Sequence, residues 1–140
     1  MKPHNILFLA AADVRALLTI DECILAVEHA LRLHGQGKTI PPAALGVHVP
    51  NGSFHVKAGT LSLVRDYFVA KVNANFPDNP SRHSLPTIQG LIVLCDAQDG
   101  VPLALMDSRD ITALRTAAAT AIAARYLARS DSRFVTVCGC

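Results

Sequence analysis

The sequence predicts an α+β domain, a mixed or antiparallel sheet packed with two long helices. Three observations predict it. β-forming runs recur at Leu45–Val49, Phe54–Lys57, Tyr67–Asn73, Leu91–Asp96 and Pro102–Met106. Asn51-Gly52 and Asp99-Gly100 join neighbouring runs as hairpins, and hairpins make antiparallel pairs. Helical patterns flank this block, at 20–34 before it and 109–128 after it.

Taken in order, residues 5–10 read as a strand and Asp13 to Leu18 as a short helical patch. Thr19-Ile20-Asp21-Glu22 is a capping box: the Thr19 hydroxyl accepts from the third helical amide, and Glu22 reaches back. Cys23, Ile24, Val27 and Leu31 follow at helical spacing, and Gly35 and Gly37 end the helix. Pro41-Pro42 punctuates the chain ahead of the strands. Residues 77–86 hold three prolines and read as a polar loop, of a length often functional within a domain. The second long helix is capped by Ser108 or Asp107, and its alanines from Ala117 to Ala124 favour both helix and close packing.

Hydrophobic residues make up 51% of the 140 and charged residues 17%, which supports one domain with a packed core. A net charge of +2, with Lys and Arg scattered, argues against nucleic acid, and the absence of Trp removes the best stacking platform. Cys23, Cys95, Cys138 and Cys140 match no zinc pattern and read as reduced thiols of a cytoplasmic protein. The histidines show no metal spacing, so no metal is expected. No run approaches the length of a membrane span.

Arg133-Phe134-Val135-Thr136-Val137 is a short β-forming run that breaks at Gly139. It reads as the first strand of a dinucleotide-binding unit, where a phosphate-binding turn opens directly after the strand. On this reading residues 1–130 form one domain, and 131–140 begin a second that is truncated here.

Four positions are candidates for chemistry. Arg115 lies in the first two turns of the long helix among small apolar neighbours; it is either solvated or held for an anion such as a carboxylate. Lys71 sits mid-strand with apolar residues on both sides, facing either a cavity with an anion or an exposed sheet face shared with Asn73 and Asn75. Lys57 and His55 share one strand face, either a cleft wall or a solvated surface. Thr87, where the proline-rich loop enters a strand, either bonds nearby backbone or donates to a phosphate.

An ordered set of motifs carries a resemblance. It comprises the capped helix, the Lys71 strand, Leu85-Pro86-Thr87-Ile88-Gln89-Gly90, Asp99-Gly100-x-Pro102-Leu103-Ala104, and Leu114-Arg115-Thr116-Ala117-Ala118 with Ala123-x-x-Tyr126-Leu127-Ala128. From about residue 15 onward the chain resembles the ornithine cyclodeaminase/mu-crystallin family. The resemblance implies the N-terminal part of an enzyme using NAD or NADP, which acts on an amino acid or cyclic imine by hydride transfer. It implies a substrate-binding and dimerisation domain, a homodimer, and a Rossmann domain to follow. Carried over, Lys71 meets the substrate carboxylate and helps place a proton, and Arg115 is shared between substrate and cofactor. Thr87, Thr116 and Gly139 contact the cofactor. The family's catalytic aspartate falls beyond Cys140, so this span alone is expected to be inactive. An alanine-dehydrogenase-like or ketimine-reductase activity and a non-catalytic dimerisation module are the alternatives.

Two departures stand out. The family carries a carboxylate-binding arginine shortly after the proline near 42, where this chain has Ala43-Ala44; a Met-Pro pair is common where it has Val56-Lys57. Lys57 is therefore expected to replace the missing arginine as a second substrate clamp.

Overall fold

The computed structural model describes residues 5–138 of the chain. Strand β1 (Leu7–Leu9) leads into helices α1 (Ala11–Leu17) and α2 (Ile20–Gly35). Strands β2 (Thr39–Val49), β3 (Gly52–Ser62) and β4 (Asp66–Asn75) follow, then helix α3 (Asn79–His83). Strands β5 (Ile88–Asp96) and β6 (Pro102–Asp107) and helix α4 (Arg109–Leu127) complete the order. The six strands form one sheet, ordered β1-β6-β5-β4-β3-β2. β2 to β6 run antiparallel to their neighbours, and β1 joins β6 in parallel. The sheet is thus mixed, and the two long helices of 16 and 19 residues are those the sequence predicts.

The capping box forms as expected: Thr19 Oγ1 accepts from Glu22 N–H at 3.3 Å, and Glu22 accepts from Thr19 N–H at 3.0 Å. At the other end Gly37 takes φ +72°, Lys38 N–H donates to Leu33 C=O and Gly37 N–H to His34 C=O. This Schellman motif ties off the last carbonyls and turns the chain into β2. The inward stripe of α2 differs from expectation. Cys23 and Leu33 are buried, whereas Leu31 is 51% exposed. Leu31 and Leu33, two residues apart, point about 200° apart around the helix, so the packing that buries Leu33 turns Leu31 outward.

Strands β2 to β6 extend beyond the β-forming runs, whereas β1 keeps only Leu7–Leu9 of the strand read over 5–10. β2 begins at Thr39 and passes through Pro41-Pro42, where punctuation was expected. A proline lacks the N–H of a ladder, but β2 is an edge strand, and its register with β3 shifts between Ile40 and Ala43. In the β2–β3 hairpin Val49 pairs with Gly52, so Pro50-Asn51 form the turn and Asn51 takes the positive φ of 71°. Gly52 serves a different need: a Cβ there would meet the Phe76 ring at 2.5 Å. Asp99-Gly100 turns β5 into β6, with Gly100 at φ +77° and Val101 N–H bonded to the Asp99 carboxylate. Residues 79–83 of the expected loop form the single-turn helix α3.

Arg133–Val137, read from the sequence as a strand, takes no part in the sheet, and Phe134 and Val135 are 93% and 87% exposed. A strand exists by pairing, and the edges of this sheet are β1 and β2.

The face of the sheet that carries Lys71 holds the core. Ile92 and Ala104 lie there under the helices, 8% and 5% exposed, and Ala118 and Ile122 of α4 are buried. α2 packs along α4, and Glu28 of α2 accepts from Arg125 at 3.0 Å and from Tyr126 OH at 2.5 Å. The start of α4 is locked to the sheet. Ser108 is fully buried; its N–H donates to Gly90 C=O at 3.0 Å and its hydroxyl to Asn73 Oδ1 at 2.7 Å. The cap bond comes instead from Asp107, whose carboxylate accepts from Arg109 N–H at 2.8 Å. Gly90 allows this because a Cβ there would run into the Val72 carbonyl and stand 2.5 Å from Asn73 Oδ1.

Gly90→Ala is expected to cost about 1–3 kcal/mol, the range for forcing an atom into a packed site, and Ser108→Ala about 1 kcal/mol for the lost hydrogen bond. Urea unfolding of the two variants measures both.

Candidate functional site

Register brings three cations to one place. Lys57 of β3 lies directly opposite Lys71 of β4, and Lys71 lies opposite Ile92 of β5. Directly opposed side chains share a face, their Cβ atoms about 5 Å apart. Both lysines face the side on which α4 packs. Arg115, one turn beyond Ile111 and Thr112, reaches the same space from the helix. All three line a cavity of about 320 Å3 whose remaining wall includes Pro42, Leu61, Val69 and Ile92. Of the four candidates with open alternatives, Lys71, Arg115 and Lys57 thus meet at one cleft.

No acidic side chain lines this cavity, and none of the three cations makes an ion pair among the described residues. Burial, reinforced by the charges of Arg115 and then Lys57, holds the Lys71 ammonium below the ordinary lysine value of 10.5. Like charges gathered without a counterion cost stability, and an anion entering the cavity relieves that cost. The physical arrangement is that of an anion site.

The two departures in sequence prove to be neighbours in space. Ala44 of β2 is the register partner of Lys57. The position without a cation and the position that gains one therefore stand side by side on the same face. His55, two residues before Lys57, does not line the cavity; its Nε2 meets Ser53 Oγ at 3.0 Å.

A second, wider cleft of about 940 Å3 runs along the other flank of α4, lined by Pro86, Ile88, Thr112, Thr116, Thr120 and others. Thr116 faces it and donates its hydroxyl to Thr112 C=O at 2.7 Å. Thr87 is half-buried and does not line the cleft, although both its neighbours do. Its carbonyl accepts from Phe76 N–H at 2.9 Å. Gly139 lies outside the described residues.

Thr112 is the residue that sequence reasoning missed. It lines both clefts, and its buried hydroxyl has no hydrogen-bond partner among the described residues. An orphaned hydroxyl between two cavities suits a place where bound molecules meet. The spacing of Thr112, Thr116 and Thr120, each four apart on one helix, was the available signal.

The sequence matches the ornithine cyclodeaminase/mu-crystallin family over residues 4–140. The chain belongs to that family. It is 37% identical to an alanine dehydrogenase of Archaeoglobus fulgidus over 134 residues, covering 96% of this chain and 40% of the relative. Among solved structures it resembles an archaeal alanine dehydrogenase dimer with bound NAD, at a TM-score of 0.84 and 37% identity, over 91% of this chain and 38% of the other. It also resembles the Δ1-pyrroline-2-carboxylate reductase of Thermococcus litoralis, solved with NADH and L-proline, at a TM-score of 0.80 and 34% identity. That match covers 91% of this chain and 40% of the reductase. The chain therefore spans about 40% of the length of the curated family members it matches.

The depressed Lys71 value sets a pH dependence. The folded chain holds the Lys71 proton more weakly than the unfolded chain does. The cost of the charged form is therefore complete below the folded value, and stability recovers as pH rises through the window up to 10.5. Lys71→Met is expected to be more stable than the parent at pH 7 in low salt, with the advantage shrinking as the medium passes above that window. Urea unfolding at several pH values checks this, and 13C NMR of the lysine ε-carbons reads the Lys71 titration directly.

Proposed function

We propose that this chain is the substrate-binding part of an NAD(P)-dependent oxidoreductase that acts on an amino acid or a cyclic imine. Residues 1–130 form the substrate-binding and dimerisation domain, and 131–140 open the dinucleotide-binding domain. The observation that carries the reading is the meeting of Lys71, Lys57 and Arg115 at one cavity without an acidic group.

The Arg115 fork takes both oxygens of a carboxylate, and the Lys71 ammonium adds a point charge from the sheet. Two grips from different elements fix the α-carbon, and orientation supplies much of the rate in such reactions. Lys57, beside Ala44, is the further cation on the substrate. Lys71, with its proton held loosely, is the group suited to place a proton on the reacting nitrogen or oxygen. The cofactor fits the wider cleft, which Thr116 lines and where the orphaned Thr112 hydroxyl borders the cavity that holds the substrate; Arg115 approaches from the substrate side, and Thr87 stands beside the cleft without lining it. When bound, the dinucleotide accepts or supplies the hydride. The chain's own residues orient the substrate and handle its proton. The archaeal alanine dehydrogenase and the pyrroline-carboxylate reductase support a dehydrogenase or imine reductase more strongly than a cyclodeaminase: over the same 91% of the chain they match at TM-scores of 0.84 and 0.80 with 37% and 34% identity, against 0.72 and 30% for a lysine cyclodeaminase.

The opposite face of the sheet supports a homodimer. Leu45, Val47, Phe54, Val72 and Leu91 project from that face and are 38–60% exposed. A contiguous apolar surface of this kind marks an interface, and a cytoplasmic dimer accounts for it.

In the protein carrying the full length of its relatives, NAD(P)H oxidation is to be assayed with pyruvate plus ammonia and with Δ1-pyrroline-2-carboxylate. Lys71→Met is expected to lower kcat by about a hundredfold or more. Arg115→Lys is expected to raise KM by about tenfold, for the lost second prong of a charged hydrogen bond. Activity unchanged by both would end the reading. Val72→Lys is expected to shift the protein from dimer to monomer in analytical ultracentrifugation.

A further inference from the structure

We infer that the substrate carries two carboxylates, a small amino- or imino-dicarboxylic acid, with Lys57 gripping the second. This rests on the reading of the cavity as a substrate site and narrows it to one class. Lys57, Lys71 and Arg115 bring three positive groups to one cavity, and no acidic side chain lines it among the described residues. A monocarboxylate neutralises one of the three, whereas a dicarboxylate neutralises two. Lys71 lies next to Ile92 and towards α4, whereas Lys57 lies one strand further out, between Lys71 and Ala44. A carboxylate held by Arg115 and Lys71 leaves Lys57 to meet a group further along the molecule.

The rest of the wall is largely apolar, with Pro42, Leu61, Val69 and Ile92 among its residues. A distal ammonium, as in a basic amino acid, would find like charges there and no carboxylate. A plain alkyl side chain would leave the Lys57 ammonium beside it unpaired. The volume of about 320 Å3 falls at the small end of ligand pockets, which suits a chain of four or five carbons.

The test is binding to the 140-residue chain at fixed ionic strength, followed by calorimetry and by NMR of ε-13C-labelled lysines. Succinate and glutarate are compared with propionate, butyrate and ornithine, and Arg82→Met, remote from the cavity, controls for general charge. Succinate or glutarate is expected to bind at least tenfold more tightly than propionate and to move both the Lys57 and Lys71 signals. Lys57→Met is expected to reduce that ratio at least fivefold, whereas Lys71→Met weakens both classes together. Equal affinity for mono- and dicarboxylates, or a Lys57→Met effect equal on both, overturns the dicarboxylate assignment and leaves the carboxylate clamp standing. Saturable binding of neither class, with the Lys71 signal unmoved, overturns both.

Discussion

The attachment of Ser108 to the sheet is the constraint from which the rest of the molecule follows. One residue links three elements: its amide bonds to Gly90 of β5, its hydroxyl to Asn73 of β4, and its backbone begins α4. Because Asn73 stands two residues from Lys71 on the same strand face, the lock sets the position of α4 relative to that lysine. Arg115 is seven residues further on, two turns along a rigid helix. The separation between the two cations is therefore fixed by hydrogen bonds made elsewhere, and neither cation spends its own bonding capacity on structure. The far end of the helix is held separately, through Glu28 with Arg125 and Tyr126. A site that must orient a ligand gains from this separation of duties.

The same arrangement accepts an electrostatic penalty at the site. The ion pairs among the described residues involve none of the residues that line the cavity, and those at the start of α4 place Arg15 against Asp110 and Arg109 against Asp107. Each of these arginines has its own carboxylate partner, so the three cations of the cavity are left to one another. Natural sequences retain such conflicts where a ligand resolves them. The depression of Lys71 is the local sign of that conflict, and its causes, in order of size, are burial, Arg115 and Lys57. The apolar outer face of the sheet is a second unresolved surface of the isolated chain, and it lies on the side opposite the cavity. The cation-lined cavity and the exposed apolar surface thereby fall on opposite faces of one sheet, by the period-two alternation of its strands.

Much of the fold was legible because it is encoded locally. Thr19 and Glu22 mark a helix start whatever surrounds them, and Gly37 and Gly100 mark positive-φ positions. Strand limits were less legible, since pairing extends strands beyond their β-forming runs: β2 carries Pro41-Pro42 only because it is an edge. Leu31 and Leu33 are both leucines on α2, and only the packing of α2 in the folded chain decides that Leu33, not Leu31, turns inward. The segment Arg133–Val137 shows the reverse limit, in that β-forming composition does not make a strand without a neighbouring ladder.

The sequence by itself determined the fold class, the two long helices, the family, and the choice of Lys57, Lys71 and Arg115 as the residues of interest. It did so because caps, turns, periodicity and ordered motifs are properties of short segments. Only the tertiary structure decided that the three cations share a cavity, that Ala44 and Lys57 are neighbours, and that Thr112 stands between two clefts. Those facts depend on strand register and on where α4 is anchored. Register and anchoring join residues far apart in the chain, and no local pattern specifies the pairing until the sheet has formed.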